Sequence, residues 1–205
     1  MKPPRVAIVD YGVGNLMSIK MGVERAGGLP KITANMDEAL EADAIILPGV
    51  GAFKPAMRFL QPYRDRLIEA LKGGKPLLGI CLGMQLLFDE SLEGGLTKGL
   101  GIFRGRVVPL PRGVRTPHMG WNSLKILRDN PLLEGVENGE YFYFVHSYYP
   151  DTVGNHILAL TEYGVEFPAV VGEGKIYGTQ FHPEKSGPQG LRILKNFVGR
   201  IAVEG

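Results

Sequence analysis

The sequence predicts an α/β fold: an open, mixed and mostly parallel sheet flanked by helices. Three observations carry that expectation. Short, wholly apolar runs of strand length punctuate the first half, segments of helical spacing closed by glycine pairs lie between them, and the second half turns to strands joined by tight turns. A length of 205 residues suits one domain with a sizeable core, so a single domain over residues 1–205 is expected.

Taken in order, Val6-Ala7-Ile8-Val9, Ala44-Ile45-Ile46-Leu47 and Leu77-Leu78-Gly79-Ile80 read as buried strands, because they show no polar alternation and therefore have both faces covered. Residues 15–26 place Leu16, Ile19, Val23 and Ala26 at helical spacing, and Gly27-Gly28 stops them. Residues 62–72 open with proline at a first helical position, carry Leu67, Ile68 and Leu71 on one side, and end at Gly73-Gly74. In the second half, the runs 105–108, 141–145, 157–160, 168–171 and 175–181 read as strands of antiparallel or mixed pairing. A last helix over 189–203 sets Leu191, Leu194, Val198 and Ile201 toward the core. Ligands of such sheets sit at the carboxyl ends of the strands.

Composition narrows the function. Lys and Arg total 23 against 21 Asp and Glu, a formal net charge of +2, and both signs are interspersed. That supplies no basic stripe, so nucleic acid and membrane surfaces are not expected partners. The single cysteine, Cys81, allows neither an internal disulfide nor a thiolate-rich zinc site and suits a cytoplasmic protein. The N-terminal Lys2-Pro3-Pro4-Arg5 passes straight into a short apolar run, unlike a signal peptide. The longest apolar stretch, 44–53, is broken by Pro48, Gly49 and Gly51, whereas a bilayer span needs about 20 residues. Two glycine loops, Gly12-Val13-Gly14 and Gly49-Val50-Gly51, fail as dinucleotide fingerprints, because Met17 and Lys54 stand where the third glycine is required.

The chemistry gathers around Cys81. The strand ending at Ile80 runs directly into Gly79-Ile80-Cys81-Leu82-Gly83, a residue on a sharp turn between two glycines, which is the nucleophile-elbow pattern with sulfur in place of oxygen. A helix beginning there would favour the thiolate. The competing reading is a small buried hydrophobe. A thiolate nucleophile needs a base and a group to orient it. Gln180-Phe181-His182-Pro183-Glu184 supplies both, with Pro183 fixing the turn between His182 and Glu184.

Gly79-Ile80-Cys81-Leu82-Gly83-Met84-Gln85 together with Gln180-Phe181-His182-Pro183-Glu184 resembles the class I glutamine amidotransferases. The segments Val9-Asp10-Tyr11-Gly12-Val13-Gly14-Asn15-Leu16, Leu47-Pro48-Gly49-Val50-Gly51-Ala52-Phe53, His118-Met119-Gly120-Trp121-Asn122 and Phe144-Val145-His146-Ser147-Tyr148 narrow the resemblance to the glutaminase subunits of imidazole glycerol phosphate synthases, from histidine biosynthesis. It spans the chain from the first strand to the last helix. The fold implied is flavodoxin-like, and the activity implied is hydrolysis of glutamine through a Cys81 thioester, with His182 and Glu184 completing a triad and no metal or cofactor. Oxyanion donors are expected from the backbone N–H of Leu82 and from one within Gly49-Val50-Gly51. By the same resemblance Gln85, Gly51, Phe53, His146, Ser147 and Tyr148 line the glutamine site.

Ammonia released into water at pH 7 is mostly protonated and loses its nucleophilic lone pair, and this chain has no second catalytic apparatus for an acceptor. A partner is therefore expected. The resemblance implies the cyclase subunit, a (β/α)8 barrel, in a heterodimer, with Asn15, Trp121 and Lys185 at the interface and Tyr143 bordering the ammonia exit. Other readings weigh less. A redox or chaperone-like α/β protein gives His182 and Glu184 no purpose, a silent scaffold would be expected to have a broken triad, and an amidotransferase of another synthase, such as pyridoxal 5'-phosphate synthase, sits poorly with residues 10–16 and 118–122. His118 reads as structural or partner-facing and His156 stays unassigned. Arg104, Arg106, Arg112 and Arg115 read either as a partner-facing patch or as a solvated edge.

Overall fold

The apolar runs of the first half become adjacent parallel strands. In the computed structural model, which describes residues 2–12 and 14–203, β1 (Arg5–Val9) is followed by α1 (Leu16–Arg25), β2 (Leu29–Thr33), α2 (Met36–Glu41), β3 (Ala44–Leu47), α3 (Phe53–Leu60), α4 (Arg64–Lys72), β4 (Leu77–Ile80) and α5 (Leu82–Gln85). Val13 of the first glycine loop lies outside the described residues. Next come β5 (Phe88–Ser91), β6 (Thr97–Lys98), β7 (Phe103–Pro109), β8 (His118–Ser123), β9 (Lys125–Ile126), β10 (Tyr141–His146), β11 (Tyr148–Asp151), β12 (Ile157–Glu162), β13 (Glu166–Glu173), β14 (Ile176–Thr179) and α6 (Gly187–Asn196). The main sheet has eight strands in the order β2-β1-β3-β4-β14-β13-β12-β9. It is parallel from β2 through β14 and antiparallel beyond. A four-stranded sheet, β11-β7-β5-β6, and the antiparallel pair β10-β8 complete the fold.

Alternation along β1 feeds two cores. Val6 and Ile8 pack with Ile19 and Val23 of α1 and Leu194 of α6, whereas Ala7 and Val9 pack with Phe53, Met57 and Leu60 of α3 and Leu67 of α4. Helices thus cover both faces, as the sequence predicts. Asn15 caps α1 by accepting from the Ser18 N–H at 3.3 Å, and Gly27 at φ +91° ends it. A Cβ on Gly22 would lie 2.6 Å from a Leu194 methyl, so glycine there lets α1 and α6 pack closely.

Three sequence expectations need correction. The first crossover is not one helix between two strands, because β2 and α2 intervene; β2 carries Pro30 and is half exposed, which hides it from an apolar-run reading and suits its place at the sheet edge. Pro62 lies in a short 3-10 turn, Gln61–Tyr63, and the α-helix starts only at Arg64. The last helix leaves α geometry after Asn196 and finishes as a wider π turn, Phe197–Ile201. The arginine cluster is also less open than its local sequence suggests, since Arg106 Nε donates to Glu90 at 2.7 Å from a neighbouring strand.

Candidate active site

The carboxyl ends of β3, β4 and β14, three neighbours in the sheet, bring together Gly49, Cys81 and His182. Cys81 is the one non-glycine residue of positive φ among the described residues, at φ +49° and ψ −101°. That strained turn is over-determined by its surroundings. The Cys81 N–H donates to the Thr179 carbonyl at 2.7 Å, and the Cys81 carbonyl accepts from the Gln85 N–H at 3.1 Å. A Cβ on Gly79 would sit 2.5 Å from the Gly83 carbonyl oxygen, and one on Gly83 would collide with the Leu47 backbone, so both glycines of the motif are required by packing. One expectation changes: α5 is a single turn, too short to develop a helix macrodipole. What it offers is individual N–H groups.

His182 and Cys81 face each other across Gly49: a Cβ there would lie 3.0 Å from His182 Cε1 and 3.1 Å from Cys81 Cβ. His182 Nδ1 meets Glu184 Oε1 at 2.8 Å, both side chains are almost fully buried, and the ring's remaining nitrogen, Nε2, is left to Cys81. Burial works against a charged His182 ring, but the Cys81 thiolate and the Glu184 carboxylate outweigh it and raise its pKa to about 10. Ser186, which sequence reasoning missed, steadies this turn by donating to the His182 carbonyl at 2.6 Å and accepting from the Tyr143 N–H at 2.9 Å. Tyr11 is a second omission. Its buried hydroxyl donates to the Pro48 carbonyl beside the glycine loop, and burial, then the Cys81 charge, raises its pKa well above the ordinary tyrosine value.

The loop expected to supply oxyanion donors is turned the other way. The Leu82 N–H points at the Gly49 carbonyl, 3.5 Å away, so a carbonyl oxygen fills the position in which a second N–H was expected. Gly51 has φ +123°, and Val50 packs near Gly14.

The side chains expected around glutamine divide. Gln85 is buried beside Cys81, and its Nε2 donates to the Tyr148 carbonyl at 2.8 Å and to Gln180 Oε1 at 3.2 Å, leaving its own oxygen as the group available to a ligand. Phe53 points into the core, and its N–H is taken by Glu93 Oε2 at 3.0 Å, a carboxylate no sequence motif singled out. His146 has both nitrogens engaged: Nδ1 with the Tyr148 carbonyl at 2.9 Å and Nε2 with His118 Nδ1 at 3.0 Å. Burial pulls His146 down to about 3, against the Tyr148 carbonyl and with the help of the His118 and His182 rings. His118 is lowered by burial to about 4 and stacks on Tyr163 at 4.0 Å. The Ser147 carbonyl accepts from the Leu110 N–H at 2.9 Å. His156 stacks on Phe103 at 5.2 Å and bonds Thr152, well integrated into the second sheet.

Of the residues expected to face a partner, Trp121 is 54% exposed and meets Tyr143 edge to face at 6.0 Å. Asn15 is exposed, and Lys185 is half-buried directly after Glu184. No group of three or more His, Cys, Asp or Glu side chains among the described residues is placed to hold a metal ion.

The model of the class I glutamine amidotransferases matches residues 7–201. The chain belongs to this family. Among its relatives is the imidazole glycerol phosphate synthase subunit HisH of Methanosarcina acetivorans, 52% identical over 95% of this chain and 98% of the relative. Proteins of the same name from Caldanaerobacter subterraneus, at 52% identity over 94% and 96%, and Methanocaldococcus jannaschii, at 50% over 94% and 98%, are similarly close. The fold is shared with a solved glutamine amidotransferase at a TM-score of 0.75 and 22% identity, covering 96% of this chain and 98% of that one, and with PurLQS from Thermotoga maritima at 0.70 and 21%, covering 96% and 98%.

Proposed function

We propose that this chain is the glutaminase subunit of an imidazole glycerol phosphate synthase, working in the cytoplasm as one domain over residues 1–205 in a heterodimer with a cyclase of (β/α)8-barrel form. The observation that carries the reaction is the buried His182–Glu184 pair beside a strained Cys81, with His182 Nε2 left to the Cys81 sulfur. The near 50% identity to relatives that share one name favours this synthase over another acceptor system.

The steps follow from the side chains. His182 takes the Cys81 proton, and the thiolate attacks the side-chain carbonyl carbon of glutamine, forming a C–S bond and an oxyanion. The Leu82 N–H, with one N–H from the Gly49–Gly51 loop, holds that oxyanion. His182 returns its proton to the departing nitrogen, ammonia leaves, and a glutamyl thioester remains. His182, oriented by Glu184, then deprotonates the water that releases glutamate and regenerates the thiol. The Gln85 oxygen and the Glu93 carboxylate suit the α-ammonium of glutamine, a cation that acceptor oxygens complement.

Ammonia has to leave without meeting bulk water. Trp121, Met119 and Tyr141 expose large apolar surface on the β8-β10 pair, and Met17 and Met21 do so on α1; exposed apolar side chains of this size suit a contact surface. Asn15, Trp121, Tyr143 and Lys185 are proposed as its contacts. The deciding experiment mixes the purified chain with the cyclase subunit and supplies glutamine and the phosphoribosylated acceptor. Formation of imidazole glycerol phosphate is expected, and its absence, with ammonium salts still supporting the cyclase, would overturn the assignment.

A further inference from the structure

The two amide side chains beside Cys81, Gln85 and Gln180, form a directed chain of hydrogen bonds. The nitrogen and oxygen ends of an amide have nearly the same shape, so which end meets a neighbour follows from the network. The Tyr148 carbonyl can only accept. It faces Gln85 Nε2 at 2.8 Å and His146 Nδ1 at 2.9 Å, so both must be N–H groups. The second hydrogen of Gln85 Nε2 goes to Gln180 Oε1 at 3.2 Å. Gln180 thereby turns its own Nε2 toward Cys81 Sγ, 3.5 Å away.

We propose that Gln180 is a thiolate-holding residue: its side-chain amide donates to Cys81 Sγ, in an orientation dictated by the Tyr148 carbonyl through Gln85, and so favours the anionic over the neutral form of the nucleophile. The inference rests on the reading of Cys81 as nucleophile. It adds a group to the triad, since the motif containing Gln180 was read only for His182 and Glu184.

The surroundings make the donation consequential. Cys81 Sγ also lies 3.6 Å from the Val145 carbonyl, to which the neutral thiol can donate but against which the thiolate is repelled. Gln180 is fully buried and Cys81 is 5% exposed, so water is poorly placed to compensate. The titratable groups around the sulfur are His182, which takes its proton, and Tyr11, whose hydroxyl is committed to Pro48; His146 lies behind, with both nitrogens engaged. Gln180 is thus the uncharged side-chain donor aimed at the sulfur among the described residues. A hydrogen bond to the charged form of an acid favours that form.

The test reads the thiol itself and needs neither glutamine nor partner. The rate of Cys81 alkylation by iodoacetamide is measured against pH in the full chain, with Cys81→Ala as the control for labelling elsewhere. In Gln180→Leu, of similar size, the midpoint of the profile is expected to move up by about one pH unit, which slows alkylation below the midpoint by about tenfold. Gln180→Glu keeps an acceptor for Gln85 but presents a carboxyl oxygen to the sulfur, and a shift in the same direction is expected. An unchanged midpoint in either variant, with an unchanged thermal transition, overturns the proposal. Loss of the fold in both would also overturn it, by showing that Gln180 serves the core. Failure of the reconstituted synthase reaction with these shifts present would count against the proposed function and leave the thiolate contact standing.

Discussion

The Leu82 N–H and the Gly49 carbonyl face each other at 3.5 Å, beside Cys81. The N–H proposed to hold the tetrahedral oxyanion is thereby occupied by an acceptor from the same chain. Gly49 has no Cβ to resist rotation of its peptide, and a Cβ there would press on Ile80 O at 2.7 Å. A reversed orientation of this peptide, presenting an N–H, is expected when the partner binds.

From this follows a prediction about coupling. The isolated chain is expected to hydrolyse glutamine slowly, and the complex with its partner and the partner's ligand is expected to do so much faster. The gain should fall on kcat, because the oxyanion exists only beyond the ground state, and one such donor is worth roughly 10²–10³ in rate. Steady-state kinetics on the free chain, the complex and the liganded complex provide the check. Equal kcat in all three would end the switching idea.

Cys81→Ala and Cys81→Ser are expected to abolish glutamine hydrolysis while leaving partner binding and ammonia-fed synthesis intact. The substitution removes little volume from a site closed by backbone packing. An electrophilic glutamine analogue should label Cys81 in the parent chain and nothing in either variant, read by mass spectrometry of peptides. Glutamine-dependent turnover surviving in Cys81→Ala would remove the covalent mechanism.

His182→Asn should cost nearly as much activity as loss of the thiol, since among the described residues no other base is placed to take the proton of Sγ. Glu184→Gln should be milder. A neutral oxygen can still accept from His182 Nδ1 across the 2.8 Å contact, although it no longer stabilises the charged ring. Measured kcat in the reconstituted complex should therefore rank parent, Glu184→Gln, His182→Asn from highest to lowest; the reverse order for the two variants would contradict Glu184 as an orienting group.

How much of this was legible in the sequence depended on whether a residue's role leaves a local mark. β1, β3 and β4 were readable because strands buried on both faces show unbroken apolar runs, and Cys81 because its turn demands Gly79 and Gly83. β2 left no such mark, since its exposed face and Pro30 resemble a loop. The Gln85–Gln180 contact joins residues 95 apart, and nothing in either segment announces the other. The orientation of the Gly49 peptide has no sequence signature at all, because both orientations use the same residues. His146, expected as a glutamine contact, has its second nitrogen taken by His118 from 28 residues away, which neither segment announces.

That histidine pair carries the last prediction, on acid stability. His146 stays neutral in the fold down to about pH 3 and His118 to about pH 4, while in an unfolded chain both take up protons near 6.5. Between those values the unfolded state binds more protons, so stability falls as pH falls: the full contribution is present above about 6.5, and the loss accumulates downward until the folded groups titrate. His182 is common to the parent and to the His146→Gln variant, so its own contribution drops out of the comparison between them. The window from 6.5 to 5 also lies above ordinary carboxylate titration. Urea midpoints of the full chain measured across it should drop steadily with acid, and in His146→Gln, whose amide can still donate to the Tyr148 carbonyl, the drop should be shallower by up to about 1.4 kcal/mol per pH unit at its steepest. Parallel slopes in the two proteins would show that His146 is not held neutral, and would remove the tautomer on which the direction of the His118–His146–Tyr148 hydrogen bonds depends.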